Sequence, residues 1–232
     1  MFNGRHFDRP VILLCVRWYL AYNLSLPDLE EMMAERGLSV DHSTIHRWVV
    51  HFFPQLLERF NRHKRCVTGK WHMDETYIKV RGERMYLYRA IDSLGDKVEF
   101  LFSESRDLPA AKPFLHRASD RHGRPNCIVI DGSQTNRQAV ISRDAEDRLR
   151  DRSRSSLNPI RIRWSKCLNN RIEQDHRRIK RCIRAMLGFK STASAEVILS
   201  GIEMVHMMRK RQAKFADNPR PSIAGQFELI AA

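Results

Sequence analysis

Negative charge is scarce in this chain: 27 Asp and Glu stand against 41 Lys and Arg, a formal net charge of +14. A folded protein this basic is expected to meet a polyanion, nucleic acid or an anionic membrane surface. Long hydrophobic runs are also missing. The most apolar stretch, Pro10–Tyr22, is too short to span a bilayer and is interrupted by Arg17, and no small-residue cleavage site follows it. A packed helix is the better reading, so no membrane partner is expected and nucleic acid becomes the expected ligand. The five cysteines are scattered and include no C-x-x-C pair, so reduced thiols in a cytoplasmic protein are expected. Zinc spacing is absent too. His42 and His46 stand one helical turn apart and His63 precedes Cys66 by one, but neither pair has a second pair at ligand distance. No internal repeat or low-complexity run occurs, which sets aside a solenoid or a disordered basic tail.

What is present begins with helices. Ser25 is placed to cap "LPDLEEMMAER", whose Leu29, Met32 and Met33 share one face, and Gly37 stops that helix. Asp41 then caps "HSTIHRWVVHF", with Ile45, Val49 and Phe52 or Phe53 on its apolar side. Ser43, His46 and Arg47 lie on its polar side near the start. Two short helices joined through a glycine turn, the second offering hydrogen-bonding residues at its N-terminal end, suit a DNA-reading helix-turn-helix. A plain helical hairpin fits the same pattern, and the net charge tips the choice to DNA. This region is expected to occupy residues 1–64.

After a basic linker ending near Lys70 the texture changes. "WHMDETYIKV", "RMYLYRAID" and "KVEFLFSES" are rich in aromatic and β-branched residues and are separated by turn residues, which reads as an antiparallel meander. A helix over about Leu108–Asp120, a buried strand Cys127–Ile130, an irregular helical stretch Ser133–Arg150, a short strand "PIRIRW", a basic helix and a longer helix over Ser191–Lys214 follow. The fold class is therefore α/β (α+β): a mixed sheet of the ribonuclease-H-like kind over residues 65–214. Residues 215–232 read as a loosely packed tail.

Three acids stand where that architecture carries chemistry. Asp74 lies within the first strand next to Glu75, and acids are depleted in strands. Alternation puts the two on opposite, similarly apolar faces, so the residues alone leave open which acts, and either could be an edge-strand charge that blunts aggregation. Asp131 closes "CIVID" before Gly132, an ordinary Asp-Gly turn or a carboxylate held at a strand's carboxyl end. Glu173 sits in "NNRIEQDHRRIKRCIR". On a helix, Ile172, Ile179, Ile183 and Met186 form one apolar stripe, and Glu173, Arg177, Lys180 and Arg184 form a second along its edge. Asn170 and Glu173 also have capping-box spacing, so cap and ligand compete at Glu173.

Two unit charges about 4 Å apart repel by about 4 kcal/mol at an effective dielectric near 20. Three clustered carboxylates therefore call for cations. Oxygen ligands and a polyanionic substrate point to Mg²⁺, with Mn²⁺ able to substitute, and to breaking or joining a phosphodiester backbone.

The segments "WHMDETYIKVRGERMYLYRAID", "VIDGSQTNRQAV" and "NNRIEQDHRRIKRCIRAMLGFKS", with the helical segment Gly4–Val49 before them, resemble bacterial DDE insertion-sequence transposases of family six. The resemblance runs from Gly4 to about Lys210. It implies that Asp74, Asp131 and Glu173 are the catalytic, metal-holding triad, choosing Asp74 over Glu75. It also implies that Lys180, seven residues after Glu173, is the associated DNA-contacting cation. The expected function is binding of element ends, backbone cleavage and transfer of the 3′ end to target DNA in replicative transposition. Double-stranded DNA is the expected partner, in the cytoplasm of a bacterium, and a homodimer is expected because two ends must be synapsed. The rival readings are a non-catalytic DNA-binding regulator or domesticated transposase, and a metal-dependent nuclease that does not join strands.

Overall fold

The computed structural model describes residues 6–151, 157–164, 170–186, 188–215 and 221–232, the side chain of Arg171 excepted. The elements run α1 (Arg9–Ala21), α2 (Leu26–Ala34), α3 (His42–His63), β1 (Lys70–Val80), β2 (Glu83–Asp92) and β3 (Lys97–Ser103). They continue with α4 (Leu108–His122), β4 (Cys127–Ile130), α5 (Gln134–Arg150), β5 (Arg161–Trp164), α6 (Asn170–Ala185), α7 (Thr192–Arg209) and α8 (Ile223–Ala231). They form two compact units. One takes the chain up to Arg65, Val80–Gly82 and Arg178 onward; the other takes Cys66–Lys79 and Glu83–Arg177. The boundary thus falls inside α6.

The helical unit starts as its capping residues dictate. The Ser25 hydroxyl accepts from the Asp28 amide at 3.2 Å and the Asp28 carboxylate accepts from the Ser25 amide at 2.7 Å, a complete capping box on α2. The chain leaves α2 through Gly37 at φ +72°, with Leu38 N–H donating to Met33 O. Asp41 caps α3, accepting from the Ser43 and Thr44 amides. The apolar face of α3 (Ile45, Trp48, Val49, Phe52, Phe53, Leu56, Phe60) is buried, and the helix runs to His63. α7 is apolar on nearly every side and is buried accordingly. Gly201 lets α7 approach α1: a Cβ there would lie 2.5 Å from Leu20 Cδ2. The expected loose tail instead contains α8, whose Phe227, Ile230 and Ala231 are buried.

The other unit is built on a five-stranded sheet in the order β3-β2-β1-β4-β5. β2 and β3 pair antiparallel, while β1 pairs with β4 and β4 with β5 in parallel. This is the expected ribonuclease-H-like mixed sheet, with the β1–β3 segment at one edge and parallel strands reached by helical crossovers. Trp71, Met73, Tyr88, Ala90 and Val98 on one face pack with Phe114 and Leu115 of α4 and Ala139 and Val140 of α5. Burial of such side chains stabilises by about 1.5–3 kcal/mol each, the reason this face organises the unit. Ion pairs hold the covering helices: Arg143 of α5 reaches Asp120 of α4 at 3.1 Å and Asp147 of its own helix at 3.0 Å, and Arg124, just after α4, pairs with Asp144 of α5. α5, expected to be irregular, is a regular helix capped by Ser133.

Candidate active site

The period-2 alternation of β1 sorts its two acids onto opposite faces. Glu75 shares the face of Trp71 and Met73, where α4 and α5 pack. Asp74 shares the face of His72, and there it meets α6: His176 Nδ1 lies 3.5 Å from Asp74 Oδ2. On that face the 1% exposed Arg89 of β2 lies 3.9 Å from Asp175. The start of α6 therefore lies against the sheet through a buried charged pair, and Ile172 and Ile179 are buried as their spacing predicts.

Asp131 stands at the carboxyl end of β4, in a turn fixed from both sides. Its Oδ1 accepts from Ser133 N–H at 3.1 Å, and Ser133 in turn caps α5. Gly132 has φ +98°, a conformation that side chains rarely adopt, and a Cβ there would collide with the Trp164 indole. The Asp-Gly pair is thus a turn, and it also holds a carboxylate over the sheet end beside β1.

Carboxylate oxygens of Asp74, Glu75 and Asp131 all lie within 4.8 Å of one another. The three are not equivalent. Glu75 Oε1 pairs with the Arg106 guanidinium and Oε2 accepts from Asn136 Nδ2 at 2.7 Å, so its charge is already answered. Asp74 is 9% exposed. Burial first, then the charges of Glu75, Asp131 and Glu173, push its carboxyl up to about 7. Glu173, in the first turn of α6 and half-buried, is outside the closest trio, yet its charge is felt at Asp74. Asn170 and Glu173 both stand in the first turn of α6, and the cap of that helix lies outside the described residues.

An acceptor-only oxygen set of this density fits a hard divalent cation such as Mg²⁺. A carboxyl raised by burial and then by its neighbours' charges marks the cluster as a functional-site candidate.

The remaining sequence-selected residues occupy exposed helix surface. Arg177, Lys180 and Arg184 are exposed on α6, with Arg177 in the sheet unit and Lys180 and Arg184 in the helical unit. On α3, Ser43 is exposed and its hydroxyl bonds Asp41, and Arg47 is exposed with Nη2 donating to Thr44 Oγ1 at 3.0 Å. His46 is half-buried, and burial, then Lys190, holds its imidazole below the usual range, so it is neutral at pH 7.

Sequence reasoning missed Asp175, His176, Arg89, Arg106 and Asn136. A signal existed for two of them. Asp175 and His176 fall three and four residues after Ile172 and before Ile179, on the apolar stripe itself, where an unpaired charge is costly. Arg106 and Asn136 reach Glu75 from remote segments, and no local pattern announces that.

A profile described as a DDE domain matches residues 68–212. The transposase for insertion sequence-like element IS431mec of Staphylococcus aureus is 34% identical over 213 residues, covering 92% of this chain and 90% of that protein. The transposase for insertion sequence element IS257 in transposon Tn4003, also of Staphylococcus aureus, is 33% identical over the same shares. Among solved structures, the HTLV-2 integrase catalytic core domain in complex with magnesium superposes with a TM-score of 0.41 and 10% identity, covering 71% of this chain and 97% of that one.

Proposed function

The chain belongs to the bacterial DDE insertion-sequence transposases of family six, and from that premise we propose that it binds the ends of its own insertion sequence, cleaves the phosphodiester backbone there and transfers the freed 3′ end to target DNA in replicative transposition. Asp74, Asp131 and Glu173 would hold divalent cations, Mg²⁺ or in its place Mn²⁺. When bound, such cations neutralise the clustered charge and polarise the oxygens of an in-line phosphoryl displacement. The observation that carries this reading is the close trio of carboxylates around the buried Asp74, whose carboxyl is pushed from 3.8 up to about 7 by burial and then by the neighbouring charges.

The protein's own groups divide the remaining work. The Ser133 amide orients Asp131, and Arg106 and Asn136 hold Glu75 in place beside Asp74. The Arg89–Asp175 pair holds the first turns of α6 on the sheet, which sets where Glu173 stands. Arg177, Lys180 and Arg184 contact phosphates. Ser43, His46 and Arg47 at the start of α3 read base edges. The chain works as a homodimer on double-stranded DNA in the bacterial cytoplasm, engaging nucleoid DNA and no membrane; among the described residues no helix is long and apolar enough to cross one.

The direct test is incubation of the full chain with labelled end DNA and Mg²⁺, scoring nicked and joined products separately. Nicking without joining would favour a nuclease; specific binding without either would favour a regulator.

Two binding outcomes follow. Arg47→Ala in the full chain is expected to lose about 1–3 kcal/mol of preference for end DNA over random duplex, measured by competitive gel shift. The full chain is needed because α7 packs with the N-terminal helices in one unit. Equal preference in wild type and variant would remove Arg47 from base reading. Lys180→Ala and Arg177→Ala are expected to weaken binding to all duplexes alike and to lower the salt slope by about one each. Unchanged slopes would mean a merely solvated helix face.

A further inference from the structure

Trp164 is 74% exposed, whereas Trp48 and Trp71 are buried and Trp18 is half-buried. A single exposed apolar side chain is ordinary on a protein surface, so its position has to distinguish it. Trp164 ends β5 and pairs with Ile130, the residue immediately before Asp131. By alternation it continues the face of Ile162, which packs on the sheet core, but it lies beyond the point where the core stops. There its indole overlies Gly132 closely enough to exclude any side chain at that position. Arg161 and Arg163, both exposed, take the other face of the same strand. A large flat aromatic is thus laid open next to Asp131, on a strand that also carries two cations.

We propose that Trp164 is a base-stacking residue, its indole receiving an unpaired nucleobase of the DNA strand held at the carboxylate cluster. The inference rests on the reading that phosphodiester chemistry occurs at Asp131. The occupant follows from the surroundings. A base inside a duplex is already stacked on both sides, so a free aromatic plane serves a base that has left the stack. Every nucleobase presents a π-face, which makes such a contact tolerant of sequence, and neighbouring Arg side chains suit the backbone of the same strand. A protein partner would need an apolar surface that continues past the indole, and its strand neighbours Arg161 and Arg163 are charged. The aromatic would hold the strand open at the cluster and so act on positioning, with no part in proton or phosphoryl transfer.

The test uses the full chain, without cations, and a single-stranded oligothymidylate of about 12 nucleotides. Binding is expected to quench tryptophan fluorescence in wild type. Trp164→Ala is expected to abolish the quench and weaken single-strand affinity about five- to hundredfold. Trp164→Phe is expected to keep affinity within about threefold, since a smaller aromatic still stacks. Duplex affinity should be the same in all three. Wild-type single-strand affinity in Trp164→Ala, or a Phe variant as weak as the Ala one, would overturn the proposal. The readout is independent of catalysis. A wild-type protein that neither nicks nor joins yet shows the quench would sink the catalytic reading and support stacking. A Trp164→Ala protein that nicks and joins end DNA at the wild-type rate would overturn stacking alone.

Discussion

Glu173→Gln is expected to lower Mg²⁺-dependent nicking and joining on the order of 10³-fold or more, with DNA affinity and thermal stability close to wild type. Glutamine keeps the size and hydrogen-bonding capacity of the side chain, including any capping role, and removes only the charge that a cation needs. The charge is the point, because Glu173 is felt at Asp74 across the cluster. Asn at Asp74 or Asp131 should give the same loss of nicking and joining, and combining two such changes should add little, since residues acting as one unit are not additive. Glu75→Gln offers the contrast. Glu75 belongs to the closest trio, but its oxygens are committed to Arg106 and Asn136, so its loss should reduce activity less than loss of Glu173. Rates of single-turnover nicking across the four variants check this. A Glu173→Gln protein with near wild-type rate would return the residue to a helix-start role.

Without cations, the same cluster should make the protein less stable as pH rises. Asp74 has its carboxyl raised from 3.8 to about 7 by burial and by its anionic neighbours. The folded state therefore binds a proton that the unfolded state has released between about pH 4 and pH 7. Stability from this group is fully present below about pH 4 and is lost as pH rises through 7. A displacement of that size is worth on the order of 4 kcal/mol. For a chain of this length that corresponds to a Tm change on the order of 10 °C. Asp74→Asn removes the titration, so its metal-free Tm should exceed that of wild type at pH 8 and the gap should close near pH 4. Adding Mg²⁺ should raise wild-type Tm at pH 8 and leave Asp74→Asn almost unmoved. Thermal scans in chelator and in Mg²⁺ measure both effects. A wild type and variant with parallel pH profiles would show that Asp74 carries no such penalty.

Much of the fold was legible because its signals are local. Ser25 and Asp41 declare helix starts, Gly37 declares a stop, and the aromatic and β-branched segments declare β1 to β3. The run "CIVID" placed Asp131 at a strand end, where the structure has it. What the sequence hid depends on distant partners. Which of Asp74 and Glu75 faces α6 depends on packing, and both faces are apolar in sequence, so only the resemblance chose between them. The aromatic plane of Trp164 beside Gly132 depends on β4 pairing with β5, thirty residues along the chain. α8 was hidden because its short apolar pattern has no meaning without the surface it packs on. The division of the chain inside α6 was hidden for the same reason, since α7 joins the N-terminal helices through packing that no local periodicity encodes.

On the proposed function, the Asp74, Asp131 and Glu173 cluster moves a DNA 3′ end from one strand to another. This transfer is tested most directly by incubating the full chain with end DNA labelled on the transferred strand, an unlabelled plasmid target and Mg²⁺, and sizing the labelled products. A nicked end and a longer species with the label joined to the plasmid are expected, both absent in chelator and both absent with Glu173→Gln. Labelled end DNA that is bound but never nicked or joined by the wild-type chain in Mg²⁺ or Mn²⁺ would contradict the proposed function.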